Sequence, residues 1–244
     1  MYFDTKFTKE NLNTYLKEVA KEFRRRSGTK MPAEIILIGG AAILANYGFR
    51  EMTYDIDAII IASSAMKEAI NSVGDRFGLP NGWLNMDFNK TQSYSTKLSE
   101  VSVYYKTFSN VCTVRTIAAE YLIAMKLMSG REYKNDLSDV AGVLWEHQKT
   151  GNAIDRETVE KAIEKLYGEN AELPESSQKF ITIAFSGADY ECVYKEIRHS
   201  EKVSREILVN IEEDYPNTLK QDNVSSILEL ARKKRDKEHL DNKL

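Results

Sequence analysis

The chain has 244 residues, 42% apolar and 29% charged, with a net charge of −3, a pI near 5.8 and a mean hydropathy of −0.45. That balance is the one expected of a soluble globular protein of one large or two modest domains, and it excludes a uniformly basic nucleic-acid binder while leaving room for a local basic site. Two distant cysteines, Cys112 and Cys192, and three scattered histidines give neither zinc-ligand spacing nor a disulfide framework, which fits a reducing cytoplasm.

The opening MYFDTKFTKENL is charged from its fourth residue and lacks an apolar signal core. The longest near-apolar stretch, residues 35–45, is well short of the ~20 residues of a membrane span, so no membrane segment is expected. Residues 8–26 read as an amphipathic helix, with Leu12, Tyr15, Leu16, Val19, Ala20 and Phe23 at helical spacing and Gly28 as its stop. After Pro32, the β-branched run 34–38 reads as a buried strand. Gly39-Gly40 follows at once and leads into a short helix ending before Gly48.

Residues 55–61, DIDAIII, read as a second strand, followed by a helix with Met66, Ile70, Val73 and Phe77 on one stripe and Ser63 or Ser64 as its cap. Two more strands are expected at 101–108 and 111–115. Beyond Thr116 the period turns helical, with helices expected at 117–129, 136–149, 156–167, 177–186, 188–213 and 223–238. The sum is an α/β (α+β) chain: a small mixed sheet with helices over residues 1–115, then an all-helical domain over 116–244.

Chemistry concentrates between residues 38 and 57. Glycines at a strand end let the backbone approach a ligand, and the helix they open offers free N–H groups to phosphate. Alternate residues of a strand share a face, so Asp55 and Asp57 point together while Ile56 points to the core. Two close carboxylates repel, and a divalent cation such as Mg²⁺, which takes few carboxylates plus substrate phosphates, relieves that repulsion. Taken singly, a Gly-Gly is an ordinary turn and an Asp-x-Asp an ordinary strand end. Their joint order carries the functional reading, because an apolar strand that starts with two charges wastes them otherwise.

Ile38-Gly39-Gly40, a spacer, then Asp55-Ile56-Asp57 resembles the nucleotidyltransferase (polymerase-beta-like) superfamily; the spacer is slightly longer than usual. More narrowly, GFREMTYDIDAII, with Arg50 and Thr53 ahead of the acids, resembles AbiEii-type and related uncharacterised bacterial nucleotidyltransferases. The resemblance implies an NTP held by Gly39, Gly40 and Thr53, with Asp55 and Asp57 as Mg²⁺ ligands. It extends loosely to TIAAEYLIAMKLMSGREYKNDLSDVAGVL, where Lys126, Arg131, Lys134, Asp136 and Asp139 match and Asn135 interrupts the usual Lys-Asp pair. Lys126 and Arg131 are then expected at the nucleotide's phosphates, although a lysine there can also snorkel to water and Asp136 can serve as a helix cap. The third carboxylate of the superfamily has one candidate, Asp87, which also fits a loop aspartate.

The activity implied is transfer of a nucleoside monophosphate from an NTP such as ATP to a hydroxyl on RNA, protein or a small molecule. The resemblance further implies a toxin of a bacterial toxin–antitoxin or phage-defence pair, with an antitoxin-like partner. A non-catalytic nucleotide-binding protein on the same fold is the alternative. The clusters Arg24-Arg25-Arg26 and Arg232-Lys233-Lys234-Arg235 read as solvated helix ends, and His147, His199 and His239 have no sequence neighbours that suggest general-base work.

Overall fold

A computed structural model describes residues 5–220 and 223–241, excluding the side chains of 236–241, so the expectations for residues 1–4 and for His239 lie outside it. The first helix, α1 (Lys9–Ser27), starts at a reciprocal capping box: Thr8 accepts from the Asn11 amide and the Asn11 side chain accepts from the Thr8 amide. Five strands follow in the chain: β1 (Ala33–Leu37), β2 (Ile56–Ile61), β3 (Leu84–Asn85), β4 (Ser102–Phe108) and β5 (Cys112–Ile117). They form one mixed sheet in the order β3-β2-β1-β5-β4, with β1 antiparallel to β2 and parallel to β5. Consecutive residues Ile35, Ile36 and Leu37 are all buried, so the central strand is covered on both faces.

Between the strands lie α2 (Gly39–Asn46) and α3 (Ala65–Phe77), and after them α4 (Ala119–Ser129), α5 (Asp136–Lys149), α6 (Arg156–Tyr167), α7 (Glu175–Ala184), α8 (Tyr190–Asp214) and α9 (Val224–Asp241). The fold is thus a mixed α/β sheet followed by a helical region. One buried core runs from Phe7 to Val193 and is continuous across residue 116, because α4 and β5 contribute to the same cluster. A second, small cluster of Ile207, Leu208, Val224 and Leu228 ties α8 to α9, with Tyr133 and Leu219 against it. No described helix is long and apolar enough to cross a membrane.

Two local details depart from expectation. The α3 helix starts without a serine side-chain cap: Ser64 makes no capping bond and the buried Ser63 hydroxyl has no partner. The stretch between α3 and β4, for which no strand or helix was expected, holds β3 and two 3-10 turns at Asp87–Lys90 and Thr96–Ser99. β3 is only two residues long and exists through its parallel pairing with β2, Ile56 to Leu84 and Asp57 to Asn85.

Candidate active site

A cleft of about 730 Å³ opens where β1 ends and β2 begins and is bounded by the start of α5 and by α8. Gly39, Gly40, Thr53, Asp55, Asp57, Asp87, Lys126 and Arg131 all line it. Residues spread over some ninety positions of sequence therefore meet in one place. The sheet register explains the first half: β2 runs back along β1, and the Ile38 amide donates to the Asp57 carbonyl at 2.9 Å, which sets Asp57 beside the glycine turn.

At that turn Gly39 has φ +53° and opens α2, whose cap residue Ile38 offers no side-chain bond. The first N–H groups of the helix consequently have no internal acceptor. Gly40 is required for a different reason. A Cβ there would stand 2.7 Å from Thr53 Oγ1 and 2.8 Å from Arg50 Nη2, closer than real side chains permit. Thr53 is buried, clamped through backbone bonds in both directions to Phe7, and donates its hydroxyl to Asp55 Oδ1 at 3.2 Å.

Asp55 stands exposed one residue before β2, and Asp57 is half-buried within it, while Ile56 between them is fully buried. Burial, and then the neighbouring Asp55 carboxylate, push the Asp57 carboxyl up to about 6. The two acids thus form an under-compensated pair of hard oxygen donors. Asp87 reaches the same cleft from the 3-10 turn after β3, but its side chain is 78% exposed and lies 3.4 Å from the Lys90 ammonium. Among the described residues no group of three acids is arranged to hold a metal. Mg²⁺ characteristically binds through one or two carboxylates and fills its shell with water and phosphate oxygens, so Asp55 and Asp57 fit that ion as a two-carboxylate site.

Across the cleft the charges are of opposite sign and mostly locked. Lys126 Nζ lies 2.9 Å from both Asp136 Oδ1 and Asp139 Oδ2, and Arg131 Nε lies 2.7 Å from Asp136 Oδ2. Arg50 donates to Asp139 Oδ2 and to the Met52 carbonyl. Asp136 and Asp139 are essentially inaccessible to solvent. Burial works against the Lys126 charge, but Asp136 and Asp139 outweigh it and raise its pKa. Asp136, for its part, is held well below the usual carboxylate range by Lys126 and Arg131 against the cost of burial. The lysine therefore does not snorkel to water, and Asp136 serves as an ion-pair anchor rather than as the cap of α5.

Three further cations in the cleft lack a carboxylate partner among the described residues. Arg198 on α8 has a buried Nη1 with no hydrogen-bond acceptor. Arg205, about two helical turns on, donates only to the Tyr133 carbonyl and to Asn135 Oδ1, at 3.4 and 2.9 Å. The Lys134 pKa is lowered by desolvation in the cleft and by Arg131. Sequence reading missed Arg198 and Arg205, which sit on a helix far from the motif. It noted Arg50 only as part of a pattern. The structure places Arg50 through its neighbour Phe49, whose ring packs against Gly142 of α5: a Cβ at Gly142 would meet the Phe49 ring at 2.5 Å. That close approach lets Arg50 reach Asp139 one helical turn away.

Residues 14–196 match a family model described as "Nucleotidyltransferase of unknown function (DUF6036)", which spans three quarters of the chain and both walls of the cleft as far as the first residues of α8. No curated protein and no solved structure matches.

Proposed function

Because the chain belongs to the family of nucleotidyltransferases of unknown function, we infer that it transfers a nucleoside monophosphate from an NTP to a hydroxyl acceptor and releases pyrophosphate. The observation that carries this reading is the meeting, in one cleft, of the Gly39-Gly40 turn, the paired Asp55 and Asp57, and a surplus of cations. Each part answers one need of the reaction. The free N–H groups at the start of α2 would receive phosphate oxygens of the triphosphate. Asp55 and Asp57 would hold Mg²⁺, with Thr53 fixing the orientation of Asp55. When bound, that ion supplies Lewis acidity to the phosphoryl oxygens and to the attacking hydroxyl.

Lys134, Arg198 and Arg205 would take the remaining phosphate charge, since none of them is held in a direct ion pair by a carboxylate of the described residues. The acceptor would enter from the side of α8, where the cleft is widest in chemistry: Leu208 and Val209 give apolar surface beside the two arginines. Asp87, at the rim, would be the residue to draw the proton from the acceptor hydroxyl.

The test is transfer of label from α-labelled NTPs with Mg²⁺, using RNA, total protein and small alcohols as separate acceptors. Labelled product that vanishes in Asp55→Ala and Asp57→Ala is the expected result. Tight NTP binding without transfer to any acceptor would overturn it and favour a second reading, nucleotide binding without turnover. The absence of a three-acid cluster among the described residues supports that alternative. The resemblance to AbiEii-type proteins supports a toxin role within the same proposal: induction in cells should arrest growth, and the two aspartate variants should not.

A further inference from the structure

The start of α5 presents an unusual division of labour. Its first turn carries two aspartates, the residue type that normally caps such an end, yet Asp136 and Asp139 bond instead to Lys126, Arg131 and Arg50. Asn135, at the cap position, makes no side-chain cap bond. The free N–H groups of the turn are taken by a residue from another helix. Glu201 of α8 accepts from the Leu137 and Ser138 amides at 3.0 and 3.2 Å through Oε1, and from the Ser138 hydroxyl at 2.5 Å through Oε2. Glu201 is 2% exposed, and it lies beyond residue 196, where the family match ends.

We propose that Glu201 is a positioning residue for the cleft: by capping α5 from α8 it frees Asp136 and Asp139 to hold the cationic wall and, through Arg50, the glycine turn. The contacts run without a gap. Glu201 satisfies the N–H groups of the first turn; Asp139 in that turn fixes Arg50; and Arg50 Nη2 packs where a Cβ of Gly40 would be. Without Glu201, two amides and a hydroxyl are left buried without acceptors, a cost that draws the acids of the same turn away from their cations, Asp139 first, since its buried Oδ1 has no hydrogen-bond partner. The stripe Val193, Ile197, Glu201, Ser204 and Leu208, spaced by four, four, three and four, puts the carboxylate on the packed face of α8.

Two measurements test this, and only the second rests on the proposed function: amide hydrogen exchange over residues 38–55, and equilibrium binding of MgATP. Glu201→Ala should speed exchange in that segment about tenfold and weaken MgATP about tenfold, the equivalent of one lost cap. Glu201→Gln keeps an acceptor for the two amides and a donor for Ser138, so it should restore both. Ile163→Ala, on α6, a helix that contributes no residue to the cleft lining, should lower the melting temperature and leave both readings unchanged. If Ile163→Ala moves them as far as Glu201→Ala does, or if Glu201→Ala leaves exchange over 38–55 unaltered, the proposal is wrong. Should Glu201→Ala fail to fold, Ser138→Ala removes one of the three bonds and should raise the same exchange about threefold; no rise would overturn the proposal equally. A wild-type protein that binds no MgATP would sink the nucleotide reading, while the exchange comparison would still decide the role of Glu201.

Discussion

The two walls of the cleft treat charge in opposite ways. On the strand wall, Asp55 and Asp57 stand side by side with no cation in direct contact, and the charge of Asp57 is disfavoured. On the helix wall, Asp136 and Asp139 are buried against Lys126, Arg131 and Arg50 in direct ion pairs. The sequence offers four aspartates of similar appearance, and the structure leaves two of them without a paired cation and makes two of them scaffold. The lesson is that a carboxylate's role follows from whether its countercharge is built in, because an unanswered buried charge is costly and an answered one is structural.

Removal experiments sharpen that contrast. Asp139→Ala should be the most damaging, destabilising by about 3–5 kcal/mol in urea unfolding, since it leaves Arg50 buried without its carboxylate and Lys126 with Asp136 alone. Gly142→Ala comes next. The added methyl meets the Phe49 ring and should cost about 1–3 kcal/mol by overpacking, with Arg50 displaced and MgATP weakened in parallel. Asp57→Asn should do the opposite of Asp139→Ala and stabilise the free protein at pH 7, by about 1 kcal/mol after solvent screening. If it destabilises as Asp139→Ala does, the division of the cleft into scaffold and ligand site fails.

The pH dependence of that third variant has a definite sign. A carboxyl raised from 3.8 to about 6 binds its proton more tightly in the folded chain, so the wild type loses stability as pH rises from about 4 to 6. Asp57→Asn should therefore match the wild type near pH 4, gain on it from about pH 4 to 6, and keep a constant lead above pH 6. Under the proposed function, saturating Mg²⁺ with a nucleotide should reverse the ranking, because only the aspartate would hold the ion. The smallest effect belongs to Arg205→Ala, expected within about 0.5 kcal/mol in stability because the side chain is exposed and bonded to neutral oxygens. A larger change would mean that the α8 wall is scaffold as well.

Much of this was written in local sequence. The strand before Gly39-Gly40, the strand after Asp55 and the helices at 136–149 and 156–167 follow from hydrophobic period and breakers within windows of a dozen residues. The glycine turn and the acid pair were legible for the same reason: strand alternation fixes which residues share a face. β3 was not legible, since two residues make a strand only when a partner is already in place. Nor was the destination of Lys126, whose sequence neighbours are apolar and whose partners lie ten and thirteen residues on. Glu201 left a trace, a carboxylate in an apolar stripe, but the stripe does not say what the carboxylate meets.

What the sequence determined by itself is the order of most elements, the fold class and the pairing of Asp55 with Asp57 beside the glycine turn, because period and spacing are local properties of the chain. What the tertiary structure decided is which charges are answered and which are left open. Ion pairs such as that of Arg50 with Asp139 join residues 89 positions apart, and their strength is set by exclusion of water, a condition that exists only once the walls have closed around them.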